Sequence, residues 1–185
     1  MAEKAAPHPL ALVQDFVNTL DREGEVEGEE LTSPAALREW FATHELMDAD
    51  EPVTDADVLR AKELREGFRD ALEANHEGRP DARAIDAINH IARNARLYVR
   101  LHPDGSSSLE SEGLGVDRAL GGLLAIAYTA MADGTWSRLK VCRREKCRWA
   151  FYDHSKNRSG NWCSMAVCGN KEKAAAYRAR HAQHA

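Results

Sequence analysis

Apolar positions recur at helical spacing through most of the first 133 residues. In residues 10–20, four apolar side chains fall on one face of a helix: Val13, Phe16, Val17 and Leu20. This spacing predicts a short amphipathic helix that packs one face against a core. Residues 32–34 (Thr-Ser-Pro) then offer a hydroxyl N-cap with proline at the first helical position. They predict a second helix, which runs through Trp40 and Phe41.

A capping signal and two apolar stripes predict a pair of longer helices. Thr54 and Asp57 have the spacing of a capping box. The stripe that follows consists of Ala61, Leu64, Phe68, Ala71 and Leu72. After Pro80 the same spacing returns in Ile85, Ile88, Ile91, Ala92 and Ala95. Because residues 76–79 form only a short turn between the stripes, we expect the two helices to pack antiparallel.

The period of the pattern changes after this pair. Residues 97–102 alternate apolar and polar side chains, and residues 103–105 (Pro-Asp-Gly) are typical of a turn, so a two-stranded β-hairpin with residues 107–111 is predicted. Residues 115–133 are apolar on most faces, which predicts the central buried helix. The turn-forming residues 134–137 then favour a domain boundary, which divides the chain into a helical domain, 1–136, and a small unit, 137–185.

The distribution of charge distinguishes these two units. The whole chain has a formal net charge of −5. From Arg138 onward it has 12 Lys and Arg but 3 Asp and Glu, a formal charge of +9. Residues 1–137 have 13 basic and 27 acidic side chains, a formal charge of −14. Such asymmetry is typical of a basic module that meets phosphate and is attached to an acidic domain.

The sequence lacks the signals of a membrane or secreted protein. It has no apolar run near the ~18 residues that a membrane helix requires. Its first residues have neither the basic region nor the apolar stretch of a secretory signal. We therefore expect a cytoplasmic protein with no membrane partner.

All four cysteines lie in the basic unit, in the pattern Cys-x4-Cys, fifteen residues, Cys-x4-Cys. They are Cys142, Cys147, Cys163 and Cys168. Two closely spaced pairs are the arrangement that holds a tetrahedral zinc ion, whereas disulfides are disfavoured in the cytoplasm. Since four thiolates leave no open coordination position, we predict one structural zinc ion. We expect this unit to be unfolded without the metal, because it has little core of its own.

Several short segments of the chain resemble one known family. Residues 151–159 (FYDHSKNRS), 162–165 (WCSM) and 168–171 (CGNK) closely resemble the CGNR zinc finger. Residues 12–19 (LVQDFVNT) look like the opening motif of the ABATE domain, which precedes that finger in family members. The resemblance implies a bacterial, stress-induced transcription regulator in which the finger binds DNA. This chain has Lys171 where the family name places arginine, so the charge is kept but the bidentate fork is lost.

Basic residues of the finger are the candidates for contact with nucleic acid. Lys156 and Arg158 lie in a polar segment with a Ser-Gly-Asn turn, which suits phosphate binding. Lys171, Lys173 and Arg178 follow Asn170, which we predict to cap a final helix over residues 171–181. The plain alternative is a solvated basic surface with no partner. Asp153 suits an ion pair with a neighbouring arginine, and Trp149, Phe151 and Trp162 favour core packing over base stacking.

These observations predict a mainly α-helical protein with a small β-hairpin, followed by a zinc-ribbon or treble-clef-like four-cysteine finger that ends in a helix. The favoured function is a DNA-binding transcription regulator. The alternatives are an adaptor whose finger binds an acidic protein surface and an RNA-binding protein. No motif supplies a nucleophile, a base or an open metal position, so we predict no enzymatic activity. A small-molecule effector of the amino-terminal domain and a second copy of the chain are further partners that the sequence admits.

Overall fold

The computed structural model describes residues 4–23, 28–79 and 81–182, which form a mainly helical protein. In these ranges the α-helices are α1 (Leu10–Val17), α2 (Pro34–Thr43), α3 (Asp55–Glu77), α4 (Ala82–Asn94), α5 (Gly115–Ala132) and α6 (Asn170–Ala182). Antiparallel strand pairs are β1 (Leu20–Asp21) with β2 (Gly28–Glu29), β3 (Leu97–Leu101) with β4 (Ser107–Ser111), and β5 (Leu139–Val141) with β6 (Ala150–Tyr152). Of the helices described, none has the length and hydropathy needed to cross a bilayer.

The predicted fold class is confirmed, and the helix starts follow the capping signals. The Ser33 hydroxyl accepts a hydrogen bond from the Ala36 N–H at 3.2 Å, with Pro34 as the first residue of α2. Thr54 and Asp57 form the predicted capping box at the start of α3. These contacts satisfy backbone donors that the first turn of a helix leaves free.

The first helix is shorter than the apolar pattern predicts. It ends at Val17, and Leu20 pairs with Glu29 in the short β1–β2 sheet instead of continuing the helix. Asn18, the residue after the helix, contacts the backbone of β6 with its side chain. Residues 18–21 therefore pair with two other segments of the chain, where the local pattern alone would allow the helix to continue.

One hydrophobic core extends across the predicted boundary at residues 136 and 137. Helices α1, α3 and α5 contribute most of its buried side chains, such as Phe16, Phe68 and Leu120. The β5–β6 hairpin adds four residues to the same cluster: Leu139, Val141, Ala150 and Tyr152. The first half of the finger is therefore packed against the helical domain, and the division into two units stays a prediction from the sequence.

Helix α1 and the residue that follows it supply hydrogen-bonding partners to the outer edge of β6. The Asn18 side chain accepts from the Ala150 N–H at 2.7 Å and donates to the Ala150 carbonyl at 3.0 Å. The Gln14 side chain donates to the same carbonyl at 3.2 Å. Because Gln14 and Asn18 lie one turn apart, both reach the strand, and they satisfy backbone groups that a buried edge would otherwise leave unpaired.

Replacing Asn18 with alanine should destabilise the protein by about 1–3 kcal/mol, because the buried Ala150 N–H would lose its partner. Asn94 is the matched control, since its exposed side chain lies 3.5 Å from His90 and contacts no backbone group of the finger. Denaturant unfolding of both alanine variants measures the difference. Equal free energies of unfolding would contradict the role that we assign to Asn18.

A buried arginine also connects the helical domain to the finger. Arg69 of α3 is fully buried, and its guanidinium donates to the Val17 carbonyl at 2.6 Å and to the Arg148 carbonyl at 2.7 Å. Its Nε lies 3.0 Å from the Glu66 carboxylate. One side chain therefore joins the carboxy-terminal end of α1, helix α3 and the loop before β6.

Candidate metal centre and basic surface

The four cysteine sulfurs converge at the end of the β5–β6 hairpin. Cys142 directly follows β5, Cys147 lies in the loop before β6, and Cys163 and Cys168 come from the segment before α6. All four Sγ atoms lie within 4.8 Å of one another. The Cys147–Cys163 and Cys163–Cys168 sulfur pairs are 3.6 and 3.7 Å apart. A tetrahedron with Zn–S bonds of ~2.3 Å has sulfurs about 3.8 Å apart, so the site fits this metal.

The thiols interact too strongly for all of them to ionise on their own. Hydrogen bonds from Cys147 and Cys163 hold the pKa of the Cys142 thiol well below its usual range. The same contact with Cys142 raises the pKa of Cys163 to about 12. A bound divalent cation would allow all four cysteines to be thiolates, because it stabilises every thiolate that it binds. The donor set therefore favours a bound metal over four free thiols.

The segment that brings in the second cysteine pair is tightly packed and ends in a helix, as predicted. A Cβ atom at Gly169 would lie 2.5 Å from the Met165 sulfur and 3.1 Å from the Trp162 ring, so a larger residue there would require the Met165 side chain to move. The prediction that Asn170 caps the final helix is wrong. A π-helical turn, Met165–Gly169, leads directly into α6, and the Ser164 hydroxyl accepts from the Val167 N–H at its start. Asn170 lies inside the helical run, where its side chain donates to the Ala166 carbonyl.

Asp153 organises the polar segment of residues 153–161. It is buried, and its carboxylate accepts from the Lys140 ammonium at 3.0 Å and from the Gly160 N–H at 2.7 Å. Burial alone would raise the pKa of this carboxyl, but hydrogen bonds from Ser155, Lys140 and Gly160 outweigh it and lower the pKa. The ion pair predicted for Asp153 therefore forms with a lysine rather than an arginine, and it shapes the loop from inside.

The two candidate cations of this loop point into solvent. Lys156 and Arg158 are both exposed. The Arg158 guanidinium donates to the Ser137 hydroxyl at 3.2 Å, and its backbone is left-handed, with φ of 51°. Of the aromatic side chains predicted to pack, Phe151 is buried, and Trp149 and Trp162 lie against the cysteine cluster.

The other three candidates lie on α6, where Lys171, Lys173 and Arg178 are exposed. Lys171 and Arg178 line a groove of about 430 Å³ between this helix and the loop that follows Cys142. The remaining lining residues are Arg144, Glu145, Lys146, Glu172, Ala174 and Ala175. Lys156, Arg158 and Lys173 do not line this groove. Arg144 and Lys146 were not among the residues predicted from the sequence, although their position between Cys142 and Cys147 places them beside the cysteine cluster.

Sequence comparison assigns both parts of the chain to known families. Residues 10–134 match the ABATE family, described as "Putative stress-induced transcription regulator", and residues 138–181 match the CGNR zinc finger. No individual curated protein matches the chain significantly. Both resemblances inferred from the short motifs are thereby confirmed. Since the first match covers more than half of the 185 residues, the chain belongs to the ABATE family and carries a CGNR zinc finger.

Proposed function

We propose that this protein is a DNA-binding transcription regulator whose finger contacts duplex DNA. The observation that carries the proposal is the exposure of α6. Every described side chain from Ala174 to His181 is exposed, although the helix follows directly from the cysteine cluster. Isolated helices of about 13 residues are marginal in water, so a helix with no buried face is better explained by contact with a partner. The cations that it carries favour a polyanion as that partner.

One structural zinc ion per chain is part of this proposal. Cys142, Cys147, Cys163 and Cys168 would hold it, and the ion would supply no reactive position because all four ligands come from the protein. Its role would be to fix α6 beside the Arg144–Lys146 loop. The cationic side chains of the loop and of α6 would then face the groove in a fixed arrangement.

The candidate cations would divide between two kinds of contact. Lys156 and Arg158 lie outside the groove, on a loop whose backbone is held by hydrogen bonds to the Asp153 carboxylate. A loop held in this way suits the positioning of a phosphate. Lys171 and Arg178 would contact phosphates from the groove side of α6, and Lys173 from another side of the same helix. A helix that enters the major groove in this way places base edges within reach of its side chains.

The proposal is tested by changing Arg158, Lys171 and Arg178 together to alanine. The variant should bind duplex DNA far more weakly at low salt than the unchanged protein. The slope of log K against log salt should fall by about 2–3 units, since each lost phosphate contact contributes ~0.9. Fluorescence anisotropy with a randomised duplex, followed by selection of bound sequences, measures affinity and sequence preference.

The matched control changes Arg83, Arg93 and Arg96 to alanine, which removes the same charge from exposed positions at and near α4. This variant should keep most of the affinity and the salt slope. If the metal-loaded, unchanged protein fails to bind DNA at low salt, the proposed function is wrong.

A protein-binding adaptor is the second candidate, and it rests on a different observation. Met165 and Val167, at the turn beside the cysteine cluster, are each 46% exposed, and Tyr177 of α6 is 56% exposed. Apolar side chains of this kind suit a protein surface more than a phosphate backbone. An adaptor would show neither the salt slope nor a sequence preference. RNA binding would instead appear as preference for a single-stranded or structured RNA over the duplex.

For the amino-terminal domain we propose a sensing role in the cytoplasm and no enzymatic activity. The family descriptions name regulation and a zinc finger, and neither names a reaction. A cleft of about 580 Å³ lies between the end of α3 and the finger residues Val141 and Arg143. An effector bound there would contact both parts of the chain. Association of two copies would present two fingers to one duplex.

A further inference from the structure

Glu23 of the helical domain contacts two cations that line the groove of the finger, although Glu23 is not itself a lining residue. It lies just after β1, yet its carboxylate Oε1 accepts hydrogen bonds from both the Arg144 guanidinium and the Lys171 ammonium. These partners are 121 and 148 residues away in the chain. The Arg144 side chain is 14% exposed and that of Glu23 is 27% exposed, whereas that of Lys171 is 53% exposed, so only the arginine half of the contact is shielded from water.

The same two cations are the ones best placed to bind a phosphate in the groove. Arg144 and Lys171 lie on its opposite walls, one on the loop after Cys142 and one at the start of α6. A guanidinium and an ammonium that share one oxygen form the kind of charge-assisted site that holds phosphate oxygens. In this conformation the Glu23 carboxylate lies between the two cations, where a phosphate oxygen would otherwise bind.

We infer that Glu23 is an internal phosphate mimic that competes with DNA for Arg144 and Lys171, so that the helical domain restrains the finger. This inference rests on the proposed function and deepens it. The competitor comes from the part of the chain whose formal charge is −14, and it binds the part whose charge is +9. Any event that withdraws Glu23 from these two cations would increase affinity for DNA.

The magnitude of the restraint follows from the exposure of the contact. Partly exposed ion pairs contribute little each, and a network of two pairs contributes somewhat more. Releasing both cations should therefore tighten DNA binding by about threefold to tenfold. The salt dependence should also become steeper by about 1–2 units of slope, because two more cations become free to displace counterions.

The test compares E23Q with the matched control E30Q in duplex binding by the metal-loaded full chain. Glu30 lies in the same region and is exposed, and no ion pair to it is found within the described ranges. E23Q should bind more tightly than the unchanged protein, and E30Q should differ by less than about twofold. In the R144A background, the effect of E23Q should shrink markedly, since the cation that Glu23 neutralises is gone.

The outcomes separate this inference from the proposed function. If the unchanged protein binds DNA and E23Q binds equally or more weakly, Glu23 positions the cations instead of competing, and the inference is overturned while the function stands. If both proteins bind and E23Q binds more tightly, with a steeper salt dependence, the inference is supported. If neither binds at low salt, the proposed function fails and the inference fails with it.

Discussion

Removing the metal should unfold residues 161–182 while the β5–β6 hairpin keeps its structure. Zinc sites in small modules contribute on the order of 10–16 kcal/mol of apparent binding free energy, and the segment with Cys163 and Cys168 has little other burial. The sequence predicts that all of residues 137–185 unfold without metal, but the hairpin differs, because Leu139, Val141 and Ala150 are buried in the core of the helical domain. Hydrogen exchange measured with and without a chelator should therefore show lost protection after residue 161 and retained protection in β5 and β6.

Two variants sharpen this prediction. Cys168→Ser removes a ligand and should reproduce the effect of the chelator, with loss of bound zinc in native mass spectrometry. Val167→Ser changes the neighbouring residue, which is 46% exposed, and should leave metal content and protection nearly unchanged. If chelation leaves exchange in residues 161–182 unaltered, the metal is not what folds this segment. Complete unfolding of the chain would instead show that finger and helical domain form one cooperative unit.

Replacing Arg69 with methionine should lower the free energy of unfolding by about 2–4 kcal/mol. The change keeps an unbranched side chain but removes every donor. The Val17 and Arg148 carbonyls then lose their partner in a buried environment, and the Glu66 carboxylate loses one of its arginines. Denaturant unfolding followed by circular dichroism measures the difference.

Arg22→Met is the matched control for this experiment. Arg22 also pairs with Glu66, at 3.1 Å, but its side chain is 35% exposed whereas that of Arg69 is fully buried. Exposed pairs contribute about 0–1 kcal/mol, so the control should change stability little. Similar losses in the two variants would mean that the contact with Glu66, rather than the buried carbonyl contacts, determines the effect.

Elements with local signals could be predicted from the amino-acid sequence. The Thr54–Asp57 capping box, the Ser33–Pro34 helix start and the apolar stripe of α5 each concern residues within a few positions of one another. Such signals act through backbone hydrogen bonds and helical periodicity, which require no knowledge of the rest of the chain. The cysteine spacing is local in the same sense, and it predicts a metal site without knowledge of the fold.

The contacts between the two parts of the chain became visible only in the folded protein. Gln14 and Asn18 look like ordinary polar residues of an amphipathic helix, yet they bind the backbone of a strand more than 130 residues away. Asn170 is a residue type that often caps helices, but the π-helical turn Met165–Gly169 precedes it, so it lies inside the helical run. Glu23 belongs to an acidic loop whose charge gives no hint of a particular partner. Each of these roles depends on which residues become neighbours after folding, and a local pattern contains no information on contacts across such long separations.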